Sequence, residues 1–245
     1  MNGPVLFCGD PHGKFAHIVR TAQELKASAV ILLGDLQPQE PLHLELGPIV
    51  GRTWLIHGNH DTDTEEGFTN VWKSELADRN LHARVVTLPD GTRIAGLGGI
   101  FREKVWYPPS EPRFESPEVH RHATGPWDRW QDGPPLRHWS SIYPAAVDEL
   151  AALEADVLVT HEAPSCHPNG FAVIDDLARA RKVKAVFHGH HHDRLDYSAG
   201  WGRLGFKAFG VGLRGITGLD GLPVVSGELD QARSYRRPWF VDEGD

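Results

Sequence analysis

Cysteine is scarce in this chain, which has only Cys8 and Cys166 among its 245 residues. A single disulfide could not stabilise a chain of this length, because disulfide frameworks are typical of small secreted domains. The first residues also lack the basic region and the long apolar segment of a secretory signal. These absences predict a reducing compartment, and we expect a cytoplasmic protein.

Long hydrophobic runs and an excess of cations are missing as well. No apolar stretch approaches the roughly 20 residues that a helix needs to cross a bilayer, so we expect no membrane partner. Asp and Glu number 33 against 25 Lys and Arg, which gives a formal net charge of −8. A surface without excess cations does not neutralise a polyphosphate backbone, which argues against a long nucleic acid as partner.

Histidine, in contrast, is abundant, with 15 residues beside the two cysteines. Imidazole serves both as a ligand for first-row transition metals and as an acid or base near neutral pH. The composition therefore points to metal or acid/base chemistry based on histidine rather than on thiolates.

The hydrophobic pattern predicts an α/β fold in one domain spanning residues 1–245. Short aliphatic runs predict buried strands at 5–8, 30–33, 53–56, 93–97, 157–160 and 185–187. Helical spacing of apolar residues predicts helices at 15–26 and 145–153. Short runs at 206–209 and 223–225, separated by glycine-rich turns, predict strands and hairpins, so mixed sheets fit better than purely parallel ones.

Residues 101–145 differ from the rest of the chain and are interpreted as an insertion. They hold eight of the 18 prolines and four of the eight tryptophans. Proline at this density excludes long helices and central strands, while the tryptophans argue against disorder. The insertion is either a lid over the functional site or an irregular loop that its aromatic side chains anchor to the body.

Five polar motifs follow five of the predicted strands, where α/β folds place ligand-binding groups. They are Asp10-Pro-His12, Gly34-Asp35, Gly58-Asn59-His60-Asp61, the single His161, and Gly189-His190-His191-His192. Asp and Asn also form turns and helix caps, but that alternative does not explain five ordered coincidences. Together the motifs supply carboxylates, an amide and imidazoles, the ligands that suit Mn, Fe, Zn or Ni.

The order of these motifs strongly resembles the calcineurin-like metallophosphoesterase superfamily, with its D-x-H, G-D, G-N-H-D/E, lone His and G-H-x-H signature. The resemblance covers about residues 5–195. It implies a four-layer α/β/β/α sandwich with two mixed β-sheets. It also implies hydrolysis of a phosphate ester by attack of a hydroxide that bridges two divalent metal ions (Mn, Fe, Zn or Ni).

The resemblance further implies a role for each motif residue. One metal ion would be bound by Asp10, His12, Asp35 and His192, and the other by Asp35, Asn59, His161 and His190, so that Asp35 is shared. His60 would be catalytic, as a general acid or a hydrogen-bond donor to the phosphate, unless it is only structural. Asp61 would orient an imidazole or cap a turn.

Departures from the family pattern narrow the range of substrates that we expect. Protein phosphatases of the superfamily read G-D-x-x-D-R-G, whereas residues 34–40 read G-D-L-Q-P-Q-E and lack the arginine that grips a phosphate dianion. Residues 34–37, 94–101 and 160–164 are similar to the RNA-lariat debranching branch. We therefore expect a small phosphorylated or nucleotide-like substrate, preferably a phosphodiester such as a nucleotide or short oligonucleotide. The alternatives are a phosphomonoesterase and a non-catalytic metal-binding scaffold, and the oligomeric state stays open.

Overall fold

The computed structural model describes residues 3–236 and residue 238, and the rest of the predicted range 1–245 lies outside the described residues. Its strands are β1 Val5–Cys8, β2 Ala29–Leu33, β3 Thr53–Ile56, β4 Arg84–Thr87, β5 Arg93–Leu97, β6 Val157–Thr160, β7 Ala185–His188, β8 Lys207–Gly210, β9 Ile216–Gly218 and β10 Pro223–Val225. Its α-helices are α1 Ala16–Glu24, α2 Leu42–Leu46, α3 Glu65–Trp72, α4 Pro117–Ala123, α5 Pro144–Ala151, α6 Ala172–Ala180 and α7 Trp201–Leu204.

The strands form two mixed five-stranded sheets. The first has the order β10-β9-β1-β2-β3, with β1, β2 and β3 parallel and the β9–β10 hairpin joined to β1 by the antiparallel strand β9. The second has the order β4-β5-β6-β7-β8, in which only β4 runs antiparallel among the described strands. Parallel neighbours in both sheets place their carboxyl ends at a common edge, which is where the motifs of the sequence follow.

The two sheets pack face to face between outer layers of helices. Phe7 of β1 stacks on Phe187 of β7 with ring centroids 3.8 Å apart, at the centre of a buried cluster shared by both sheets. The outer face of the first sheet is covered by α1, α2 and α3, and that of the second by α5, α6 and α7. The predicted four-layer α/β/β/α sandwich is confirmed.

The predicted elements agree with the structure where the pattern is strong. Helices were expected at 15–26 and 145–153, and α1 and α5 occupy these segments with ends that differ by one or two residues. The run at 206–209 is not part of a hairpin, because β8 adds parallel to β7 at the sheet edge. Strand β4 was not predicted, since its side chains are half-buried or exposed and show no continuous apolar run.

The insertion at 101–145 contains α4 and short turns of 3-10 helix, and aromatic contacts anchor it to the body. Trp139 and Trp130 contact Phe68 of α3 with ring centroids 5.0 and 5.8 Å apart. Trp106 packs against the buried core cluster of the second sheet. Trp127, by contrast, is 95% exposed. The anchoring interpretation therefore holds for three of the four tryptophans.

Among the described residues, no helix has both the length and the apolar character that a membrane span requires.

Candidate metal centre

The motif residues meet where the carboxyl edges of the two sheets come together. Those that follow β1, β2 and β3 come from the first sheet, and His161, His190 and His192 follow β6 and β7 of the second. Each contributes from the loop directly after its strand, so the two sheets hold the two halves of the site. Loops carried on rigid strands position ligands more reproducibly than free loops do.

The backbone at this edge is unusual. Asp10, His12, Asp35, His190 and His192 have φ angles of 41°, 43°, 50°, 66° and 55°. The left-handed region is uncommon for residues other than glycine, and it persists only where the surroundings impose it. The concentration of this conformation at five predicted ligands indicates that the loops are shaped to aim these side chains inward.

Two glycines allow the loops to approach each other. A Cβ on Gly34, whose φ is +95°, would lie 2.5 Å from His161 Nδ1, and a Cβ on Gly58 would lie 2.2 Å from Asp35 Oδ1. Any side chain at these positions would push the predicted ligands apart. The glycines before Asp35 and Asn59 are therefore required by close approach.

The structure forms two groups of candidate ligand atoms. Asp10, His12, Asp35 and His192 bring one atom each within 4.8 Å of one another, and so do Asp35, His161 and His190. Asp35 belongs to both groups. The groups contain six of the seven predicted ligands. The seventh, Asn59, lies beside the second group, with its Oδ1 3.3 Å from His161 Nε2.

Hydrogen bonds orient two of the imidazoles with Nε2 toward the cluster. His161 Nδ1 donates to the backbone oxygen of Leu33 over 2.7 Å, and His12 Nδ1 donates to Gln37 Oε1 over 2.5 Å. A proton fixed on Nδ1 leaves the lone pair of Nε2 free to bind a cation. This is the usual way in which a second contact prepares a histidine as a metal ligand.

The buried carboxylates of the cluster need a compensating positive charge. Burial and the neighbouring carboxylates raise the pKa of Asp10 to about 7, although the attraction of His161 acts in the opposite direction. Burial also disfavours ionisation of Asp35, but the attraction of His161 outweighs it and lowers that pKa. His161 is buried too, yet Asp35 and Asp10 raise its pKa to about 10. A proton on His161 thus balances the carboxylates in the metal-free protein, a role that a divalent cation would take over.

The donor set fits divalent metal ions. Carboxylate oxygens and neutral imidazoles suit first-row ions, and burial lowers the pKa of His190 to about 3 and that of His192 to about 4, so both are neutral at pH 7. Asp10 Oδ2 is buried and has no hydrogen-bond partner among the described residues. Such an atom is costly unless it binds something, and a cation in the first group would satisfy it.

His60 lies beside the cluster but outside both ligand groups. Its backbone N–H donates to Asp35 Oδ1 over 2.9 Å, and its ring centroid is 5.7 Å from that of His12. The half-exposed His60 ring donates from Nδ1 to Asp63 Oδ2 over 2.6 Å. This places an oriented imidazole at the solvent side of the cluster, where it can transfer or share a proton with a bound group.

Asp61 is fully buried and binds backbone rather than an imidazole. Its carboxylate accepts hydrogen bonds from the N–H groups of Leu36, Gln37 and Gly58 over 2.7, 2.9 and 2.8 Å. The expected contact with an imidazole is not found among the described residues. The geometry instead makes Asp61 a brace between the loops that follow β2 and β3.

Three site residues were missed by the sequence analysis. Asp63 follows His60 by three residues, a spacing that brings the two together in the 3-10 turn and could have been recognised. Gln37 was noted only as part of the segment 34–37 that is similar to the debranching branch, but it binds His12. Glu162 is buried, and its Oε2 lies 3.9 Å from Nε2 of both His190 and His191.

The remaining motif histidine, His191, does not face the cluster. It stacks on His167 with ring centroids 3.8 Å apart, and it belongs to neither ligand group. The residue therefore packs between the loop that carries His167 and the ring of His190, from which its own ring centroid is 4.8 Å distant.

Comparison with known proteins shows the family and the fold of this chain. A protein of Haemophilus influenzae described as "Uncharacterized protein" is 45% identical over 218 residues, which cover 89% of this chain and 94% of that protein. The crystal structure of TT1561 of Thermus thermophilus shares the fold with a TM-score of 0.57 at 16% identity, covering 93% of this chain and 99% of that one. The family model for calcineurin-like phosphoesterases matches residues 3–194, so the chain belongs to the calcineurin-like phosphoesterase family.

Proposed function

We propose that this protein is a dinuclear metal-dependent phosphodiesterase acting on a nucleotide or a short oligonucleotide. The observation that carries the proposal is the pair of ligand groups that share Asp35, with the oriented ring of His60 beside them. A shared carboxylate between two ligand sets is the arrangement used by two-metal hydrolases.

The residues that would hold the metal ions are those of the two groups, with Asn59 completing the second. Two divalent cations, when bound, supply a nucleophile at neutral pH and neutralise charge on the reacting phosphate. The protein contributes the rest: Leu33 and Gln37 fix the imidazoles of His161 and His12, and Asp61 holds the loops in register.

In this proposal His60 handles the proton on the leaving-group side. The bond from Nδ1 to Asp63 fixes the tautomer and the plane of the ring, so that Nε2 faces away from Asp63. When protonated, Nε2 can donate to the leaving oxygen or to a phosphate oxygen. Asp63 accepts the hydrogen bond from Nδ1 and so holds the ring in the orientation that this step requires.

The preference for a diester is supported by the loop that follows β2. Protein phosphatases of the family carry an arginine in that loop, whereas this chain has Gln39 at the corresponding position. A diester carries one charge and needs less cationic grip than a dianionic monoester. The similarity of residues 34–37, 94–101 and 160–164 to the debranching branch stays a prediction, and it also favours a diester.

The proposal also covers the setting of the reaction. Both cysteines, Cys8 and Cys166, are free and buried, which agrees with a reducing, cytoplasmic location. The net charge of −8 favours a small substrate over a long nucleic acid, since long polyanions need many cationic contacts.

The test is hydrolysis of bis-p-nitrophenyl phosphate and p-nitrophenyl phosphate by protein stripped of metal and reloaded separately with Mn, Fe, Zn, Ni or Mg. We expect preference for the diester, with activity that depends on the metal. His60→Ala should lower kcat by at least about 100-fold with metal content unchanged. His122→Ala, a change of an exposed histidine in the insertion, is the matched control and should be neutral.

Two outcomes would contradict the proposal. Efficient turnover of the monoester without the diester would identify a phosphomonoesterase. Two bound metal ions with no turnover of either substrate, and no effect of His60→Ala on any property, would favour a metal-binding scaffold.

A further inference from the structure

Arg102 directly follows the loop at the end of β5, at the same edge that carries the candidate metal centre. Its backbone is held firmly: Phe101 N donates to Glu162 Oε1 over 3.2 Å, and Arg102 O accepts from the N–H groups of Val105 and Trp106 over 2.8 Å each. The carboxylate that anchors Phe101 belongs to the residue after His161. The chain at Arg102 is therefore tied to the site through its neighbour.

The side chain of Arg102 reaches the turn that carries His60. Its Nη2 donates to Ser140 Oγ over 3.2 Å, and Ser140 Oγ lies 2.6 Å from Thr62 Oγ1. Thr62 ends the short 3-10 turn that begins at His60. The half-buried guanidinium is thus fixed on the His60 side of the cluster.

This guanidinium lacks the counter-ion that its burial requires. Within the described ranges Arg102 has no carboxylate in direct contact, although Asp63 and Glu162 attract it from a distance. Its Nε is buried without a hydrogen-bond partner. Buried charges in proteins are normally paired, because an unpaired one carries an uncompensated loss of hydration. An arginine left in this state next to a reaction site is poised to bind an anion.

A second cationic side chain, that of Arg137, increases the need for an anion beside Arg102. Burial, together with repulsion from Arg137, lowers the pKa of Arg102 to about 10 against the attraction of Asp63, Glu162 and Asp35. Arg137 is exposed, and its backbone oxygen lies 3.4 Å from Thr62 Oγ1 and 3.3 Å from Ser140 Oγ. Two guanidinium groups that repel each other beside one turn would both be stabilised by an oxyanion between them.

We propose that Arg102, assisted by Arg137, binds a phosphate oxyanion of the substrate on the His60 side of the metal cluster. The inference rests on the proposed function and makes it more specific: the insertion, not the loop after β2, supplies the arginine contact to phosphate. The oxyanion belongs either to the reacting phosphate or to a neighbouring phosphate of the same substrate. Both offer the oxygen pair that the two terminal nitrogens of a guanidinium can bind in bidentate fashion, since Nε of Arg102 is buried.

The experiment compares wild type, Arg102→Gln and Arg102→Lys on the dinucleotide TpT and on pTpT, which adds a 5′-phosphate to the same diester. Arg102→Gln should lower kcat/KM by about 10- to 100-fold. An equal loss on both substrates assigns Arg102 to the reacting phosphate, and a loss confined to pTpT assigns it to the neighbouring one. Arg102→Lys should recover part of the loss, since it keeps the charge without the fork.

Arg113→Gln is the matched control, because Arg113 is an exposed arginine of the same insertion. It should retain wild-type kinetics. The Tm without phosphate distinguishes a binding role from a structural one: removing an unpaired buried cation should leave the Tm of Arg102→Gln equal to or above that of wild type. A lower Tm together with an equal loss in every assay would identify a structural role and overturn the proposal.

A binding assay keeps the inference independent of turnover. Calorimetric titration of the metal-loaded proteins with inorganic phosphate and with pyrophosphate should show at least about 10-fold weaker binding by Arg102→Gln than by Arg113→Gln. If no diester is hydrolysed and this difference is still present, the proposed function fails and the anion site stands. If wild type, Arg102→Gln and Arg113→Gln bind both anions equally, the anion site is refuted, whatever the activity.

Discussion

At the scale of single residues, Asp61 shows how a charge away from the ligand groups shapes the metal centre. Burial, with repulsion from Asp35, raises the pKa of Asp61 to about 7, although backbone N–H groups of Gly58 and Gln37 favour its charged form. The carboxylate binds one N–H of the Asn59 loop and two of the loop after Asp35. It therefore sets the distance between two predicted ligands, although it belongs to neither candidate ligand group.

Replacing Asp61 by Asn should weaken metal binding. An amide offers one acceptor oxygen, so its NH2 group would face at least one of the N–H groups that now bind Asp61, and the loops would separate. We expect about 10- to 100-fold lower metal affinity, measured by competition with a chelator of known affinity.

Asp63→Asn is the matched control for this prediction, since Asp63 is half-exposed and binds the His60 ring. This variant should keep its metal and lose activity through the misoriented imidazole. Equal metal affinity in wild type and Asp61→Asn would show that the loops hold their spacing without the brace.

At the scale of elements, the insertion is held on α3 by aromatic packing. The rings of Trp139 and Trp130 meet the edge of Phe68, which itself stacks on Trp72 with centroids 4.7 Å apart. Because Thr62 also bonds Ser140 across this junction, the packing keeps Arg102 and Arg137 next to the turn of His60. The insertion thus supports the site instead of being a separate appendage.

Trp139→Ala should loosen the insertion. Loss of a half-buried indole from this cluster is expected to lower the free energy of unfolding by roughly 2 kcal/mol and to open residues 101–145 to cleavage by trypsin. Trp127→Ala removes the 95% exposed indole of the same segment and should be neutral in both assays. Urea unfolding and timed proteolysis would measure the two effects. Identical digestion of all three proteins would show that the prolines and backbone hydrogen bonds suffice to hold the insertion.

The sequence was sufficient to predict elements that bury a continuous apolar run or stripe. Strands β1, β3, β5 and β6 begin and end where they were expected, because both faces of these strands are largely buried. Strand β4 escaped prediction, since an edge strand with exposed ends carries no such signal. Contacts between residues that are distant in the sequence could not be predicted either. Nothing in the spacing of Asp61, Leu36 and Gly58 indicates that one carboxylate binds both loops.

At the scale of the whole molecule, the site exists only when both sheets are assembled. Asp10, Asp35 and Asn59 extend from the first sheet, whereas His161 and His190 extend from the second, and Phe7 stacked on Phe187 holds the sheets together. The ordered motifs identified these residues, but their division between two sheets and the approach of Arg102 depend on tertiary packing. Folding and formation of the metal centre are therefore expected to be coupled.

The free energy of unfolding should depend on pH through histidines that the fold buries in neutral form. Burial, with His120 and Arg102 nearby, lowers the pKa of His138 from 6.5 to about 4. As pH falls below 6.5, the unfolded chain takes up this proton and the native state does not. His138 therefore lowers the free energy of unfolding by about 1.4 kcal/mol per pH unit until the pH nears 4.

His138→Gln isolates this contribution, because the glutamine side chain can still bind Ser141, which lies 3.0 Å from His138 Nδ1. Urea unfolding of both proteins, kept metal-free with a chelator, should give parallel free energies between pH 7 and 8. Below pH 6.5 the free energy of unfolding of the wild type should fall more steeply than that of the variant, by about 1.4 kcal/mol per pH unit. Equal slopes down to pH 4.5 would mean that His138 is protonated in the folded protein, with the insertion opening to hydrate it.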